Sequence, residues 1–544
     1  MNAYTIVVVV VYLLITLFLG YLGLRNTKNA KDFLVAGRKT HPLIMALSYG
    51  STFISTAAIV GFGGAAANMG MGLLWLTFLN VFVGIFIAFI FFGKRTRRMG
   101  QTLDAQTFPE LLGKRFSSKF IQGFSAVLIF VCMPIYAAGV IKGGANFIQT
   151  YFGISYKISL LCFVVIVAVY VWTGGLKGVM YTDAFQGGVM FIAMITLLII
   201  TYRTLGGVVS AHNQLTALFS NPDPAVQAGI AKSILGGFKG WTSMPKTASP
   251  MWWNLVSTIV MGVGIGVLVQ PQLVVRFMTV KSNKELNRAV LSGGVFILCM
   301  TGIAFVVGAL SNVVFFNKMH VLSMAAAGGT SDNIIPMYIK TYIPKWFGAI
   351  FLISMLAAAM STLSSQFHTM GTAAGRDIYE KTMGKKGNTI LITRTGIIVA
   401  VVLSTLVAFL ANSLPAADTI IAKFTTIFFE LTTAAFLPAY IGALYIKKMP
   451  KAAIIGSMVA GAVTWFIWTF FIHSNSAIMQ LCKLIFGKDN LVAGTSLAKL
   501  SMVGTTFVAL PVSILVMAII WIVYAAMKKT DMDKAEVDKC FKGM

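Results

Sequence analysis

Long apolar stretches separated by polar segments are the feature that most limits what this chain can fold into. A helix needs about 20 predominantly apolar residues to cross the hydrocarbon core of a bilayer. Runs of that length recur along the whole sequence, which predicts an all-α, polytopic membrane protein with about thirteen transmembrane helices. The predicted spans are residues 3–24, 42–68, 70–93, 120–148, 156–173, 181–203, 251–276, 286–316, 346–373, 390–412, 418–446, 451–473 and 501–527.

The composition excludes soluble enzymes and nucleic-acid-binding proteins. Hydrophobic residues make up 57% of the 544 residues and charged residues only 11%, whereas a soluble globular chain carries about 25% charged residues. The net charge of +27 does not indicate a nucleic-acid partner, because the basic residues cluster between apolar runs, as at Lys94-Arg95 and Lys385-Lys386. Such clusters are typical of anchors at the negatively charged cytoplasmic surface of a cell membrane.

The distribution of Lys and Arg predicts the orientation of the chain in the membrane. Loops 204–250 and 317–345 are long and poor in charge, whereas a second set of alternate loops is basic. The basic set comprises 25–41, 94–119, 276–288, 375–394, 447–451 and the tail from 528. By the positive-inside rule the basic loops are cytoplasmic, so the N-terminus is predicted outside and the C-terminus inside. The mixed charge of the tail indicates a solvated segment.

Two predicted helices contain residues that weaken a helix. The second carries a polar run over 48–56 followed by glycines at 61, 63 and 64, and the seventh carries Gly262, Gly264 and Gly266 before Gln270-Pro271. Irregular backbone at membrane depth is tolerated where it lines a cavity, and paired interrupted helices are typical of a secondary transporter's binding site. The alternative is that the glycines only allow helices to pack closely.

The interrupted helices are five apart in the count, so they run in opposite directions. This predicts an inverted five-plus-five repeat with discontinuous helices. The predicted divisions are 1–41, the first transmembrane helix and a cytoplasmic linker; 42–203, the first repeat; 204–250, an extracellular loop; 251–446, the second repeat; 447–527, two peripheral helices; and 528–544, a cytoplasmic tail.

A row of hydroxyl groups marks the predicted ninth helix. Ser361, Ser364 and Ser365 are spaced i, i+3 and i+4 and so share one face, with Thr362 on the adjacent face. Sodium prefers oxygen ligands, as other hard cations do. Further ligands are expected from main-chain carbonyls freed where the second helix is interrupted. The alternative is a hydroxyl face that hydrogen-bonds a neighbouring helix.

Asp183 is a carboxylate close to the predicted start of the sixth helix, after the sequence Gly-Gly-Leu-Lys-Gly at 174–178. It could balance the helix dipole there. It could also bind a cation near the inner mouth, because acids within membrane segments are costly to bury and are usually functional.

Motifs spread over about residues 5–450 carry a family resemblance. They are Phe53-Ile54-Ser55 leading into Gly61-Phe62-Gly63-Gly64; Gly174-Gly175-Leu176 with Thr182-Asp183 and Gln186; Gln270-Pro271 with Arg276-Phe277-Met278; Lys281-Ser282, Lys284-Glu285-Leu286 and Arg288-Ala289; and Ala358 with Ser361-Thr362. In order and spacing they resemble the sodium:solute symporter family, which includes sodium-coupled sugar, proline, pantothenate and sialic acid carriers. The resemblance implies a leucine-transporter-like fold and sodium as the co-transported ion.

The resemblance also implies the site residues. The main sodium site maps onto the carbonyls of Ser51, Ile54 and Ala358 and the hydroxyls of Ser361 and Thr362, and a second sodium site onto Asp183, Ser364 and Ser365. The candidate substrate residues that it implies are Ser55, Thr56, Thr77, Asn80, Gln270 and Glu430, and Lys142 is a further candidate because it is a lone cation in the predicted fourth helix.

The two charged substrate candidates have alternatives. Lys142 could capture a substrate carboxylate or extend to the outer headgroups. Glu430 could bind a substrate amine, pair with a lysine or stay protonated.

Sodium-coupled symport of a small organic solute by alternating access is therefore the predicted function. An organic acid, an amino acid or a pantothenate-like carboxylate is preferred as the solute. The alternatives are a proton-coupled symporter of the same fold and a channel, although the sequence has no repeated filter motif. A membrane enzyme is not expected, because no cluster of His, Cys or acids stands on facing predicted helices.

Overall fold

Helices account for every named element in a computed structural model of the chain, which describes residues 3–27, 29–385, 387–413, 420–531 and 534–541. In this described part, eleven helices are long and apolar enough to cross a membrane, and Tyr156–Val169 is a shorter apolar helix. Helices suit these runs because a bilayer offers the backbone no water to hydrogen-bond. The all-α, multi-pass architecture is confirmed, whereas the count of about thirteen and the orientation of the ends stay predictions.

The first part of the chain folds into eleven α-helices up to residue 235. They are α1 (Ala3–Arg25), α2 (Ala30–Val35), α3 (Pro42–Phe53), α4 (Phe62–Met69), α5 (Leu74–Val81), α6 (Lys94–Thr102), α7 (Phe108–Arg115), α8 (Lys119–Phe152), α9 (Tyr156–Thr204), α10 (Val208–Phe219) and α11 (Pro224–Leu235). The π-helical segments Ala57–Gly61 and Phe82–Gly93 continue α4 and α5 on their N- and C-terminal sides, respectively.

The second part contains the remaining named α-helices. They are α12 (Pro250–Trp253), α13 (Gly262–Gly266), α14 (Pro271–Phe277), α15 (Asn283–Met319), α16 (Ser323–Ala326), α17 (Ile334–Tyr342), α18 (Lys345–Thr372), α19 (Thr389–Ala411), α20 (Ile420–Tyr445), α21 (Lys451–Ile467), α22 (Ser476–Met479), α23 (Leu481–Phe486), α24 (Thr506–Ala526) and α25 (Lys534–Phe541). The π-helical segments Asn254–Met261, Ala373–Thr382 and Trp468–Ile472 follow α12, α18 and α21.

The spans differ in how far the protein encloses them. Lys345–Thr382 and Ile420–Tyr445 bury 89% and 94% of their most apolar stretch, whereas Ala3–Gly23 and Thr506–Ala526 bury only 22%. A helix that is covered on all sides belongs to the core of the bundle. The polar side chains within these two buried stretches therefore face protein and not lipid.

The second predicted helix is interrupted at Ile54 and Ser55. Helix α3 ends at Phe53, and Ile54 has an extended backbone with φ −88° and ψ 100°. The amide of Ala58 donates to the carbonyl of Ser55 at 3.0 Å, whereas in an unbroken α-helix it would bond to Ile54. The carbonyl of Ile54 is thus released from the helical ladder.

The seventh predicted helix is interrupted at Gln270. Its first half ends in a 3₁₀ turn, Val267–Val269, and Gln270 is extended (φ −65°, ψ 115°) before Pro271 begins α14. Proline has no N–H, so it suits the first position of a new helix. The predicted pair of discontinuous helices is confirmed. The alternative explanation of the glycines, close helix packing, also applies here. A Cβ on Gly266 would lie 2.8 Å from the carbonyl oxygen of Phe429.

The placement of Asp183 differs from the prediction. Two helices within α9 meet at a kink, where Gly175 has φ 53° and ψ 174°. Asp183 follows this kink by about two turns and is fully buried. The expectation that it opens a helix near the interface and balances that helix's dipole is wrong, since the dipole effect is confined to the first turn.

The tail also differs from the prediction of a solvated segment. Within its described residues, α25 buries Val537 and Cys540. The guanidinium carbon of Arg115 lies 5.1 Å from the centre of the Phe541 ring. The reason is that α25 places apolar side chains on one face, which packs against α6 and α7.

Candidate functional site

The hydroxyls of Ser361 and Thr362 cross from α18 to the end of α3. The Ser361 Oγ donates to the carbonyl oxygens of Ser51 at 2.9 Å and Ala358 at 3.3 Å. The Thr362 Oγ1 donates to the carbonyl oxygen of Thr52 at 3.0 Å. All of these groups are buried. The structure thus gathers Ser51, Ala358, Ser361 and Thr362 of the predicted main sodium site into a cluster of neutral oxygens.

Ile54 lies at the break next to this cluster. Its released carbonyl and the last carbonyls of α3 form the negative end of that half-helix. Such ends stabilise a cation without a carboxylate. The arrangement can therefore hold a monovalent cation between α3 and α18.

The predicted ligands of the second sodium also come together. The Asp183 Oδ1 lies 3.4 Å from the Ser364 Oγ, which donates to it. Its Oδ2 accepts hydrogen bonds from the Ser48 Oγ at 2.9 Å and the Thr52 Oγ1 at 3.2 Å. The Thr52 Oγ1 is 3.0 Å from the Ser365 Oγ. Asp183, Ser364 and Ser365 thus share one buried cluster with two hydroxyls of α3.

Arg276 enters the same cluster, although the sequence places it at the edge of a basic cytoplasmic loop. It lies in α14, and its side chain and that of Asp183 are both fully buried. Its Nη2 is 2.8 Å from the Asp183 Oδ2, which makes a salt bridge. Counting residue 276 among the loop residues is therefore wrong, because this guanidinium has buried partners.

Three substrate candidates lie at the two breaks. The Ser55 Oγ accepts a hydrogen bond from the Ala57 amide at 3.1 Å, and the Thr56 Oγ1 donates to the Val140 carbonyl at 2.8 Å. The Gln270 Nε2 donates to the Thr432 Oγ1 at 2.7 Å. These contacts tie the breaks to α8 and α20.

Thr77 and Asn80 stand one turn apart on α5. Both are buried. The Thr77 Oγ1 and the Asn80 Oδ1 have no hydrogen-bond partner among the described residues. Buried polar atoms are rarely left in this state unless a water or a ligand satisfies them, so these two atoms are suited to a bound solute.

Lys142 and Glu430 are not brought together with the residues at the breaks. The Lys142 Nζ lies 5.3 Å from the centre of the Tyr156 ring. Glu430 faces α13, where a Cβ on Gly262 would be 3.2 Å from its Cγ, and the start of α24 at Thr505 and Thr506. Both side chains are buried.

Two cavities of unequal size lie along the interrupted helices. A cavity of about 470 Å³ lies beyond the end of α4 and is lined by Asn68, Trp241, Asn254, Asn312 and Lys423, among others. Past the break at Gln270, a cleft between Gln106, Pro271 and His368 has a volume of only about 10 Å³.

Comparison with known protein families identifies the family to which this chain belongs. A profile of the sodium:solute symporter family matches residues 33–461, which is most of the chain. The chain belongs to the sodium:solute symporter family. It is therefore a transporter and not an enzyme, and sodium is the co-transported ion.

Relatives of this symporter extend over nearly their whole lengths. The osmoregulated proline transporter OpuE of Bacillus subtilis is 28% identical over 465 residues, 84% of this chain and 87% of the relative. A sodium/proline symporter of Staphylococcus aureus is 27% identical over 504 residues, 91% of this chain and 90% of the relative.

Solved structures agree with the symporter fold. A Na⁺-coupled sialic acid symporter in a substrate-bound, outward-open state superposes with a TM-score of 0.71 at 17% identity, covering 97% of this chain and 98% of the other. Mhp1, a nucleobase-cation-symport-1 transporter, gives a TM-score of 0.53 at 13% identity, covering 94% and 99% of the two chains. At these identities the likeness shows the fold alone.

Sequence reasoning missed Ser48, Thr52 and Arg276 as members of this symporter's site. Ser48 and Thr52 carried a usable signal, because their i, i+4 spacing puts both hydroxyls on one face of α3. Arg276 stood only within a family motif, and an arginine at the end of an apolar run reads as an anchor.

A second charged cluster of the symporter lies where α18 runs into the segment Ala373–Thr382. The Arg376 Nε and Nη2 donate to the two carboxylate oxygens of Glu110 at 3.1 and 3.0 Å. The Lys114 Nζ lies 3.0 Å from the same carboxylate. Burial alone would raise the pKa of Glu110, but Arg376 and Lys114 outweigh it and hold that pKa below its ordinary value. The pair fastens α7 to the end of the ninth predicted span, beside the narrow cleft.

Proposed function

We propose that this chain is a sodium-coupled symporter of proline or a closely similar small amino acid, working by alternating access. The observation that carries the proposal is the junction of α18 with the interrupted end of α3. There, the Ser361 and Thr362 hydroxyls meet the main-chain oxygens of Ser51 and Thr52 at 2.9 and 3.0 Å.

Sodium coupling follows from what an ion does at this junction. Carbonyls and hydroxyls carry only partial negative charge, so a sodium ion gains from oxygens of both helices at once. We propose Ser51, Ile54, Ala358, Ser361 and Thr362 as its ligands. The bound ion holds α3 against α18 and so favours one arrangement of the broken helix. Because binding is reciprocal, a solute that needs the same arrangement raises the affinity for sodium by the factor by which sodium raises its own.

The choice of substrate is supported by the names of the relatives and by the polar groups of the candidate substrate residues. Two of the relatives are named as proline carriers. We propose that the solute contacts Ser55, Thr56, Thr77, Asn80 and Gln270, which offer hydroxyl and amide groups only. A small solute with one amine, one carboxylate and an apolar ring suits such a lining. The amino-acid option among the predicted solutes is the one that we carry forward.

Uptake into proteoliposomes tests the proposal. The purified protein is reconstituted, and accumulation of radiolabelled proline is followed with an inward sodium gradient, with choline in place of sodium, and with a proton gradient alone. We expect accumulation with sodium only. Equal uptake in choline contradicts sodium coupling, and accumulation driven by protons alone favours the proton-coupled alternative.

Competition by unlabelled solutes checks the substrate separately. Small amino acids, simple organic acids and pantothenate are each added in excess. We expect proline and its close analogues to compete, and the organic acids and pantothenate to have no effect. Strong competition by pantothenate with none by proline contradicts the substrate while leaving sodium coupling intact.

A further inference from the structure

A cavity lined by lysines lies where the ends of α20 and α24 meet the tail helix α25. Its volume is about 420 Å³, which is within the range of sites that bind small molecules. Its basic residues are Lys447 and Lys448 after α20, Lys529 after α24, and Lys534 at the start of α25. None of the candidate sodium or substrate residues lines this lysine cavity.

The charge of the lysine cavity is largely uncompensated by the described residues. Lys447 pairs with Asp538 at 2.7 Å, and Asp538 is the single acidic residue in the described lining. In the part of the chain that the structure describes, the other three lysines make no salt bridge. A concave surface that gathers one sign of charge attracts a ligand of the opposite sign. The complementary ligand is therefore an anion.

The tail that forms one wall of the lysine cavity is fastened to the bundle. The Asp531 carboxylate accepts hydrogen bonds from the amides of Lys451 and Ala452, both at 2.8 Å, so it caps the start of α21. Farther along the tail, Val537 and Cys540 are buried. The lysines of three different segments are thus held around one space.

The opposite wall of the lysine cavity is apolar and continues onto the lipid-facing surface. Trp521, Tyr524 and Ala525 line the cavity, and their i, i+3, i+4 spacing places them on one face of α24. Ile514 lies two turns earlier on that face and is 43% exposed. Trp and Tyr concentrate where the hydrocarbon of a membrane meets the headgroups. A ligand with long apolar chains can therefore leave the cavity along α24.

We propose that the lysine cavity binds the phosphate headgroup of an anionic phospholipid, with the acyl chains of that lipid lying along α24. Basic pockets between membrane helices suit such headgroups. A free phosphate ion would leave the aromatic wall unused, and a zwitterionic lipid would bring a cation that the lysines repel. The bound lipid joins the ends of α20 and α24 to α25. The proposal depends on neither the sodium coupling nor the substrate proposed above.

Counting bound lipid tests the proposal. The purified full chain is stripped of lipid in detergent, and native mass spectrometry follows the binding of added phosphatidylglycerol or of phosphatidylcholine with the same acyl chains. We expect one phosphatidylglycerol molecule to bind with an affinity at least roughly tenfold higher than that of phosphatidylcholine. Equal affinities for the two lipids contradict the proposal, and this comparison needs no variant.

Removing the three lysines without a salt bridge assigns the lipid to this cavity. In Lys448→Gln/Lys529→Gln/Lys534→Gln, we expect the affinity for phosphatidylglycerol to fall roughly 10- to 100-fold. All three side chains are exposed, so the substitutions leave the packed core intact. An unchanged affinity in this variant overturns the assignment.

The matched control removes the same charge outside the cavity, in Lys119→Gln/Lys284→Gln/Lys381→Gln. These lysines are also exposed and lie in other predicted basic loops. The control should change the affinity for phosphatidylglycerol by less than about twofold. An equal loss in both triple variants would mean a diffuse attraction to basic loops and contradict a site in the cavity.

A last arm separates a lipid from a soluble phosphate compound. Inorganic phosphate or glycerol phosphate is added at the concentration of the phosphatidylglycerol. We expect neither to displace the lipid, because neither has acyl chains to place along α24. Displacement by glycerol phosphate would identify a soluble phosphate ester as the ligand and overturn the proposal.

Discussion

Two positions one turn apart on α18 both place buried hydroxyls against α3, but they differ in the charges that surround those hydroxyls. At the first, around Ser361 and Thr362, the oxygens that meet α3 are neutral. At the second, around Ser364 and Ser365, Asp183 brings a full negative charge and Arg276 a full positive one. The neutral position brings no full charge of its own, whereas the charged position is already balanced by the protein.

This difference teaches that a cluster of oxygens does not by itself identify a cation site, because a charge of the protein can already satisfy those oxygens. Both positions offer hydroxyls on the same helix, and the second even adds a carboxylate. A fully buried carboxylate is unstable without a positive charge close to it. Arg276 supplies this charge to Asp183. The two positions therefore differ in whether the chain itself supplies a positive charge to the oxygens.

The largest expected effect comes from breaking the charged position. Asp183→Asn leaves the Arg276 guanidinium buried without its counter-charge, which should lower the free energy of unfolding by about 3–5 kcal/mol. Removing both charges in Asp183→Asn/Arg276→Gln should recover most of that loss. Thermal unfolding of the variants in one detergent measures this; a double variant no more stable than the single one would mean that Arg276 does not balance Asp183.

The next largest effect is expected at the neutral position. Each hydroxyl ligand removed costs about 1–1.5 kcal/mol. Ser361→Ala/Thr362→Ala should therefore raise the sodium concentration for half-maximal proline uptake roughly 30- to 150-fold. Sodium titration of uptake measures the shift.

The matched control for this variant is Ser404→Ala/Thr405→Ala on α19. These two hydroxyls donate to carbonyls of their own helix, those of Ala400 and Val401, both at 2.7 Å. The control should leave the sodium dependence unchanged. If both pairs shift the titration equally, the effect comes from helix stability and not from an ion ligand.

A smaller effect is expected at the Glu110–Arg376 pair, in which the carboxylate is buried but its partners Arg376 and Lys114 are 11% and 33% exposed. Glu110→Gln should lower the free energy of unfolding at neutral pH by about 1–2 kcal/mol, allowing for the partial exposure of Arg376 and Lys114. The carboxylate of the wild type makes its full contribution above about pH 4.3, the ordinary value for glutamate. That contribution is lost as the pH falls through the lower pKa of the folded state.

Thermal unfolding between neutral pH and pH 3 checks this dependence. Wild type and Glu110→Gln should differ most at neutral pH and converge at the acid end. Parallel curves over the whole range would show that the charge of Glu110 is not what stabilises α7 against the segment Ala373–Thr382.

The smallest effect is expected at Lys142, a cation that belongs to neither position. Its ammonium lies 5.3 Å from the centre of the Tyr156 ring. Lys142→Met should change the proline concentration for half-maximal uptake by no more than about twofold. A tenfold rise would instead assign the substrate carboxylate to Lys142, and uptake kinetics at saturating sodium distinguish the two.

The features that follow from local sequence could be predicted. The apolar runs predict the helices, the Gly and Gln-Pro sequences predict the two breaks, and the i, i+3, i+4 spacing of Ser361, Ser364 and Ser365 predicts a shared hydroxyl face. Each depends on residues within a few turns of one another. The family motifs add which carbonyls at the break meet that face.

The pairing of Arg276 with Asp183 could not be predicted in this way. The two residues are 93 positions apart in sequence and lie on different helices, so no periodicity connects them. Read locally, Arg276 ends an apolar run and resembles an interfacial anchor, and Asp183 stands near the start of a predicted helix. Only the packing of α14 against α3, α9 and α18 shows that each charge offsets the desolvation penalty of burying the other. The separate surroundings of Lys142 and Glu430 likewise depend on tertiary packing.

The buried pair of Arg276 and Asp183 also joins four helices. Through the Arg276 guanidinium, α14 is tied to Ser48 and Thr52 of α3, to Asp183 of α9 and to Ser365 of α18. Moving α14 away from α9 would leave two opposite charges without partners in the protein interior, which is costly. Any rearrangement of the bundle therefore either moves these four helices together at the level of the pair or lets water reach both charges as the pair opens.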